Sequence, residues 1–588
     1  MSQEAPAASL NELVQPLARP FPRTRLPISL SGTSAVIWLL LAAIAAAILY
    51  PLILSIARVA GDVVAGTDTV RAQDLGGTQF QVYANTVVLV VTAGGLAMIV
   101  GSLLAWINER TDGTLWDLGR VVPLAPLLVH PLASASGWIV LLDQRVGLVN
   151  NWIRSGLGLV HVDWSSGPIN IYSFPGLIFI SSLQLVPFVF LIVSGALASL
   201  DPGLEEASRI HGAGPAKTLF KVTLPAIRPA LANAAVVTAI LGIGLFTVPI
   251  VIGTGARIDV LSVRIYNLIN AGFPPRNALA LVLAAALMVV IQGLLLLQRA
   301  AVQAGHHAAV SGRGFRSAKV ELGRWRVWAR VFVLGYFIVT AVLPAIGLIM
   351  VSLQRFWSPT VDLAQMGLAN FHYVLFENPG TSQALLRSVA LAAVGATLVM
   401  LVAAVLMLQV DRGDGIARQV ADVLTAVPAT IPATVLGVGM LIAFSRPPIR
   451  LYGSPLLLLL AYVIVGLPFA SRTAAAAASE IGPEMAEASR VCRGSGRTTF
   501  FRILLPLALP GLAAGWILNF VLMVGETTAS ALLSGTGNLV IGRVLLDLWA
   551  NGSFPQMASL ALIMSAINAA CILAVLRLTR RSIQVALS

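Results

Sequence analysis

Charge is what this sequence has least of. Charged residues fill 11% of its 588 positions and hydrophobic residues 57%, a balance outside the range of soluble globular domains. Such a chain cannot clothe itself in a polar surface, so lipid is the expected solvent for most of it. Cysteine is nearly absent. Cys492 lies in a basic stretch and Cys571 inside the last apolar run, without pairing pattern or metal-ligand spacing, so neither a disulfide nor a zinc site is expected. The six histidines are scattered, and the acids have no nucleophile or metal-binding neighbours. No catalytic constellation and no cofactor are therefore expected. The net charge of +13 comes from basic residues spread between apolar runs. They form no aromatic-interleaved stripe, which argues against a nucleic-acid partner.

What the sequence has in abundance is long uncharged runs. A helix of about 20 apolar residues crosses roughly 30 Å of hydrocarbon. No charge interrupts 26–57, 75–108, 121–142, 164–200, 229–256 or 277–298, and a second set lies at 331–354, 388–410, 423–445, 451–471, 503–525 and 548–576. The expected fold is an all-α membrane protein of twelve spans. The first run follows about thirty polar residues and has no small-residue cleavage site, so it reads as a retained span. With the N-terminus inside, most of the 38 Lys and Arg, including Lys217, Lys221 and Lys319, fall in inside segments. Both termini are then cytoplasmic. The segment Arg299 to Arg330 is the expected cytoplasmic linker, and its His306-His307 pair, lacking further ligands, reads as solvated chain.

The chain repeats itself. Glu206-Ala207-Ser208 returns as Glu487-Ala488-Ser489, Leu224-Pro225 as Leu505-Pro506, and Phe273-Pro274 as Phe554-Pro555, each 281 positions on. The halves are parallel copies of one six-helix unit. Each copy continues from Glu-Ala-Ser through a turn and a short basic, apolar stretch to Leu-Pro at the mouth of a span. Gly212 and Val222 complete the first copy and Ile503 the second, where Arg493 stands in the glycine position and Gly494 follows. A left-handed turn at Arg493 would be strained, so either the turn shifts by one residue or this half docks differently.

This pattern resembles the EAA loop of ABC importer permeases of type I, with Ser208 in place of the second alanine. The resemblance covers nearly the whole chain. It implies two tandem permease halves: 34–299 with its loop at 201–228, and 328–580 with its loop at 480–506. Around them lie a cytoplasmic segment 1–33, a linker 300–327 and a tail 581–588. The linker stretch Ser311 to Arg316, followed by Leu322-Gly323-Arg324-Trp325, is similar to that of fused permeases of the ferric-iron branch, whose relatives carry aminoethylphosphonate, thiamine or polyamines. Ferric iron is the favoured cargo and the others are alternatives. The partners implied are two ABC ATPase subunits, a solute-binding protein outside and the bacterial inner membrane. The loop residues implied to couple to the ATPases are Glu206, Ala207, Ser208, Gly212, Leu224 and Pro225, and Glu487, Ala488, Ser489, Gly494, Leu505 and Pro506.

The chain itself has no nucleotide fold. In His211 to Thr218, which superficially suggests a phosphate loop, Ala216 occupies the place of the required glycine and no strand precedes it. Within the apolar runs, Glu526 beside Thr527 is an acid where insertion costs about 2.5–3.5 kcal/mol. It either meets a cationic cargo on the path or bonds a neighbouring helix. The first half has Leu245 there, beside Phe246 and Thr247, so the halves are chemically unequal at this depth. His130 reads as a packing or pore-lining residue. Trp152, Trp164 and Tyr172 read as boundary anchors, and the loop 143–163 as a landing surface for the binding protein. A secondary carrier with parallel six-helix repeats also has twelve spans. Asp117 to Arg120 faintly echoes such a carrier, but the duplicated loop argues against one.

Overall fold

The computed structural model describes residues 31–71, 74, 76–115, 118–158, 166–271, 274–304, 319–358, 363–410, 415–535 and 537–587. The expectations for 1–30, Trp164, Phe273, His306-His307 and Ser311 to Arg316 lie outside these. Among the described residues the fold is helical, with one isolated bridge between Thr111 and Val320 and no strand.

Among the described residues, nine helices are long and apolar enough to cross a membrane: Ala35–Val64, Gln79–Arg110, Phe174–Ser199 and Asn277–Gln298, then Trp325–Ser352, Pro379–Leu408, Pro455–Ser479, Gly496–Val524 and Phe554–Ala574. Two further spans are bent. Pro215–Ala226 meets Arg228–Ile243 at 72°, and Ile416–Thr430 meets Ala433–Phe444 at 95°. The third place in the first half is taken by short helical pieces from Leu118 to Leu128 followed by Pro131–Leu142. Both third spans break before proline, at His130-Pro131 and Ile431-Pro432, because the ring forces the preceding residue out of the helical region.

Charge-free runs located the spans better than they located helix ends. The run 229–256 is not one helix. The helix from Arg228 stops at Ile243, Gly244 to Phe246 form a break, and a turn from Pro249 to Ala256, buried over Pro249–Gly253, leads to Leu261–Asn270. The run 548–576 likewise divides into Ile541–Ala550 and a last helix, Phe554–Leu587. Glycine and proline interrupt an apolar run without a charge to mark the place. Conversely, helices run past charges at the membrane faces, as in Trp325–Ser352 and Gly496–Val524.

The halves exchange their first helices. Ser31–Val64 packs against Ala433–Phe444 of the second half, and Leu343–Ser352 packs against Pro131–Leu142 of the first. Glycine allows the close approach: a Cβ added at Gly137 would lie 2.5 Å from Pro344 O, and one at Gly439 would lie 3.2 Å from Leu52 Cδ2. At the end of the molecule away from the Glu-Ala-Ser loops, Arg58 donates to Ile442 O at 2.9 Å and to Arg446 O at 2.8 Å, while Arg446 pairs with Asp62 at 3.0 Å.

Candidate functional site

Each Glu-Ala-Ser segment folds into a short loop helix, Pro202–Ile210 and Pro483–Val491. Asp201 caps the first, its carboxylate accepting from Gly203 N at 2.9 Å, with Pro202 at the position where a missing N–H costs nothing. It ends in a paired-hydrogen-bond turn. Ala213 N donates to Ser208 O at 3.1 Å, Gly212 N donates to Arg209 O at 2.8 Å, and Gly212 is left-handed at φ 77°.

The second copy keeps the same register. Gly494 N donates to Ser489 O at 2.8 Å, and Arg493 sits in the left-handed position at φ 57°. The turn therefore does not shift, and the arginine bears the strain. A Cβ at Gly494 would press on Ser489 Oγ and lie 2.9 Å from Ser489 O, so the serine would have to shift; the first copy has Ala213 at the equivalent place. Arg493→Gly is expected to stabilise the protein by about 1 kcal/mol, read as a raised midpoint in thermal unfolding.

The serine of each motif has a defined task. Ser208 Oγ lies 3.0 Å from Thr218 Oγ1, and Ser489 Oγ 2.7 Å from Thr499 Oγ1, tying each loop helix to the start of the next span. That start widens into a π turn, Leu219–Thr223 and Phe500–Leu504, immediately before Leu224-Pro225 and Leu505-Pro506. Proline has no N–H and its ring crowds the carbonyl four residues back, which the wider turn relieves.

Glu206 and Ala207, like Glu487 and Ala488, face outward. Around them large apolar side chains are exposed in equivalent pairs: Leu204 and Met485, Ile210 and Val491, Phe220 and Phe501, with Ile210 at 84% and Val491 at 83%. Both copies thus present an outward acid among exposed apolar side chains, in matching register. The apolar members are not part of the motif, but their identical spacing in both copies is visible in sequence.

Glu205 does the opposite of its neighbour. It is buried, accepts from Thr223 Oγ1 at 2.6 Å and lies 3.6 Å from Arg110, whose guanidinium also donates to Leu197 O at 2.6 Å and Leu200 O at 2.8 Å. The second half has the buried Ala486 at the equivalent position. The signal for it was the doubled Glu205-Glu206 against a single Glu487.

A second cluster forms where helices break. Glu526, partly buried, accepts from Ala529 N at 2.8 Å through Oε1 and so caps the short helix Thr528–Leu533. No basic group among the described residues pairs with it. Thr527 Oγ1 lies 3.1 Å from His130 Nε2, across the boundary between halves. His130 Nδ1 accepts from Leu132 N at 3.1 Å, so Nδ1 is bare and Nε2 carries the proton donated to Thr527. Nearby, Tyr462 OH bonds Ser530 Oγ at 2.7 Å. In the first half Phe246 and Thr247 are buried instead, Phe246 edge-on to Tyr266 at 5.3 Å. The structure thus joins Thr527 to His130, a residue read from sequence as a packing or pore-lining group.

Residues 97–303 and 400–584 match the family described as binding-protein-dependent transport system inner membrane component. The chain is 25% identical over 455 residues to a protein of Haemophilus influenzae named as a ferric transport system permease, FbpB 1, covering 77% of this chain and 70% of that one. It is 25% identical over 456 residues to the ferric transport system permease protein FbpB of Actinobacillus pleuropneumoniae, covering 77% of this chain and 64% of that one. It is also 28% identical over 214 residues to the spermidine/putrescine transport system permease protein PotC of Haemophilus influenzae, covering 36% and 82%.

Proposed function

Because this chain belongs to the family of binding-protein-dependent transport system inner membrane components, we propose that its two fused halves form the whole translocation path of an ATP-driven importer. The halves are 34–299 and 328–580, joined by 300–327, in a bacterial inner membrane with both termini cytoplasmic. The observation that carries this reading is the duplicated patch: an outward glutamate ringed by exposed apolar residues, in the same register on both loop helices.

Two ATPase subunits would each receive one patch. Glu206 and Glu487 meet basic or polar groups, while the exposed apolar residues fill pockets. Moving a two-state path from 1:99 to 99:1 takes about 5.5 kcal/mol of differential binding, which ATP-driven closure of the subunits supplies. Closure draws the loop helices together, opens the far end to a solute-binding protein, and hydrolysis resets the inward-facing state. The chain moves solute and hydrolyses nothing itself.

Ferric iron is the cargo that the FbpB relatives support, since they match across both halves. Polyamine import is the alternative, supported by the PotC likeness. Glu526, an acid without a basic partner among the described residues and beside a break in its helix, suits a cation in either case, with Thr527, Phe246 and Thr247 the other candidates on the path.

The test is copurification with the ATPase subunit and hydrolysis in liposomes, comparing wild type with Glu206→Ala plus Glu487→Ala. Exposed charge contacts worth up to ~1 kcal/mol each set the expected weakening at roughly ten- to thirty-fold. Solute movement that needs no ATPase and ignores both substitutions would instead indicate a secondary carrier.

A further inference from the structure

Arg110 ends the helix Thr78–Arg110 and sits where three parts of the chain meet. Its side chain holds the carbonyls of Leu197 and Leu200, at the end of the fourth span, and the carboxylate of Glu205 on the first loop helix. Its own carbonyl accepts from Val320 N at 2.8 Å, on the segment that leads into the second half. The next residues strengthen that junction. Asp112 N donates to Val320 O at 3.1 Å, Asp112 Oδ1 accepts from Leu322 N at 3.0 Å, and its carboxylate lies 3.7 Å from Arg326. Gly113 lies so near the helix Trp325–Phe337 that an added Cβ would be 2.8 Å from Ala329 Cβ.

Both side chains of the Arg110–Glu205 pair are almost wholly buried, at 3% and 4% exposure. A charge pair shielded from water is stiff, because separating it exposes each charge to a medium that cannot solvate it. The contact between Thr223 and Glu205 extends the same junction to the π turn at the start of the fifth span. Nothing equivalent stands in the second loop, where Ala486 replaces the acid.

We propose that Arg110 and Glu205 are positioning residues that carry movement of the first loop helix into the fourth and fifth spans and, through Val320, into the second half. The first loop then drives the path, while the second serves chiefly as a grip. This rests on the reading of the loops as the ATPase docking sites.

The test is distance measurement by electron spin resonance on the complete assembly, permease with ATPase subunits, trapped with ATP and vanadate. Cys492 and Cys571 are first replaced by serine. One label pair sits at Ala216→Cys and Arg497→Cys beside the loops, and the other at Trp152→Cys and Tyr452→Cys at the far end, all four positions being exposed. In the otherwise unchanged protein, trapping shortens the loop distance and lengthens the far one. In Glu205→Gln and Arg110→Lys the loop distance shortens as before, but the far change falls to half or less. Full far-end opening in both variants overturns the proposal. A loop distance that ignores nucleotide in the unchanged protein overturns instead the docking reading. Should Glu205→Gln fail to assemble, Thr223→Val, which removes one hydroxyl donor, is read against the same two results.

Discussion

Replacing Glu205 by alanine is expected to cost the folded protein about 3–5 kcal/mol, the largest stability loss of any single change on the loop helices. The substitution leaves the Arg110 guanidinium buried with two carbonyls and no counter-charge, while its Nε already lacks a partner. Thr223 loses its acceptor as well. Glu206→Ala, one residue away, removes an exposed carboxylate and is expected to stay within about 0.5 kcal/mol of wild type. Thermal unfolding of the two variants in the same detergent reads the contrast. Equal midpoints would mean that the ion pair bears no weight.

Gly137→Leu is expected to be the most damaging change at the boundary between halves, at about 1–3 kcal/mol or more. The first atom beyond the backbone already lies 2.5 Å from Pro344 O and 2.7 Å from Pro344 Cα. Backbone inside a helix cannot step aside as a side chain can, so Pro131–Leu142 and Leu343–Ser352 must separate. The corresponding contact in the other exchanged pair makes a useful contrast. At Gly439 the nearest atom is a Leu52 methyl at 3.2 Å, so Gly439→Ala is expected to cost less than Gly137→Ala. Unfolding midpoints of the alanine pair check the order. The reverse order would contradict the tighter backbone contact at Gly137.

Of the twelve spans expected from the sequence, the described residues show nine straight ones and two bent pairs; these were legible because a bilayer demands an apolar run, and such a run is written residue by residue. Helix ends were less legible. Gly244 to Phe246 and Gly525 to Thr527 break their helices inside apolar stretches, where hydropathy does not change. The loops were legible through duplication. Repetition showed Glu206 and Glu487, and it also raised the question of Arg493, which the structure answers by keeping the turn and straining the residue. Glu205 escaped because its partner Arg110 lies 95 positions earlier on another helix, and no local pattern encodes that meeting. His130 was read as a packing or pore-lining residue, but its partner stayed hidden for the same reason. Its contact with Thr527 spans 397 positions and both halves, so it exists only once the halves are packed.

In the proposed mechanism ATP closes two subunits over the loop helices to move solute through one fused path. Uptake into liposomes tests this most directly, with permease and ATPase subunits reconstituted together and solute supplied on the binding protein, radioactive Fe(III) first and a polyamine second. The expected result is uptake of one of these cargoes that requires ATP inside and stops when Glu206 and Glu487 are both reversed to lysine. Uptake that continues without ATP, or that the double reversal leaves intact, would contradict it.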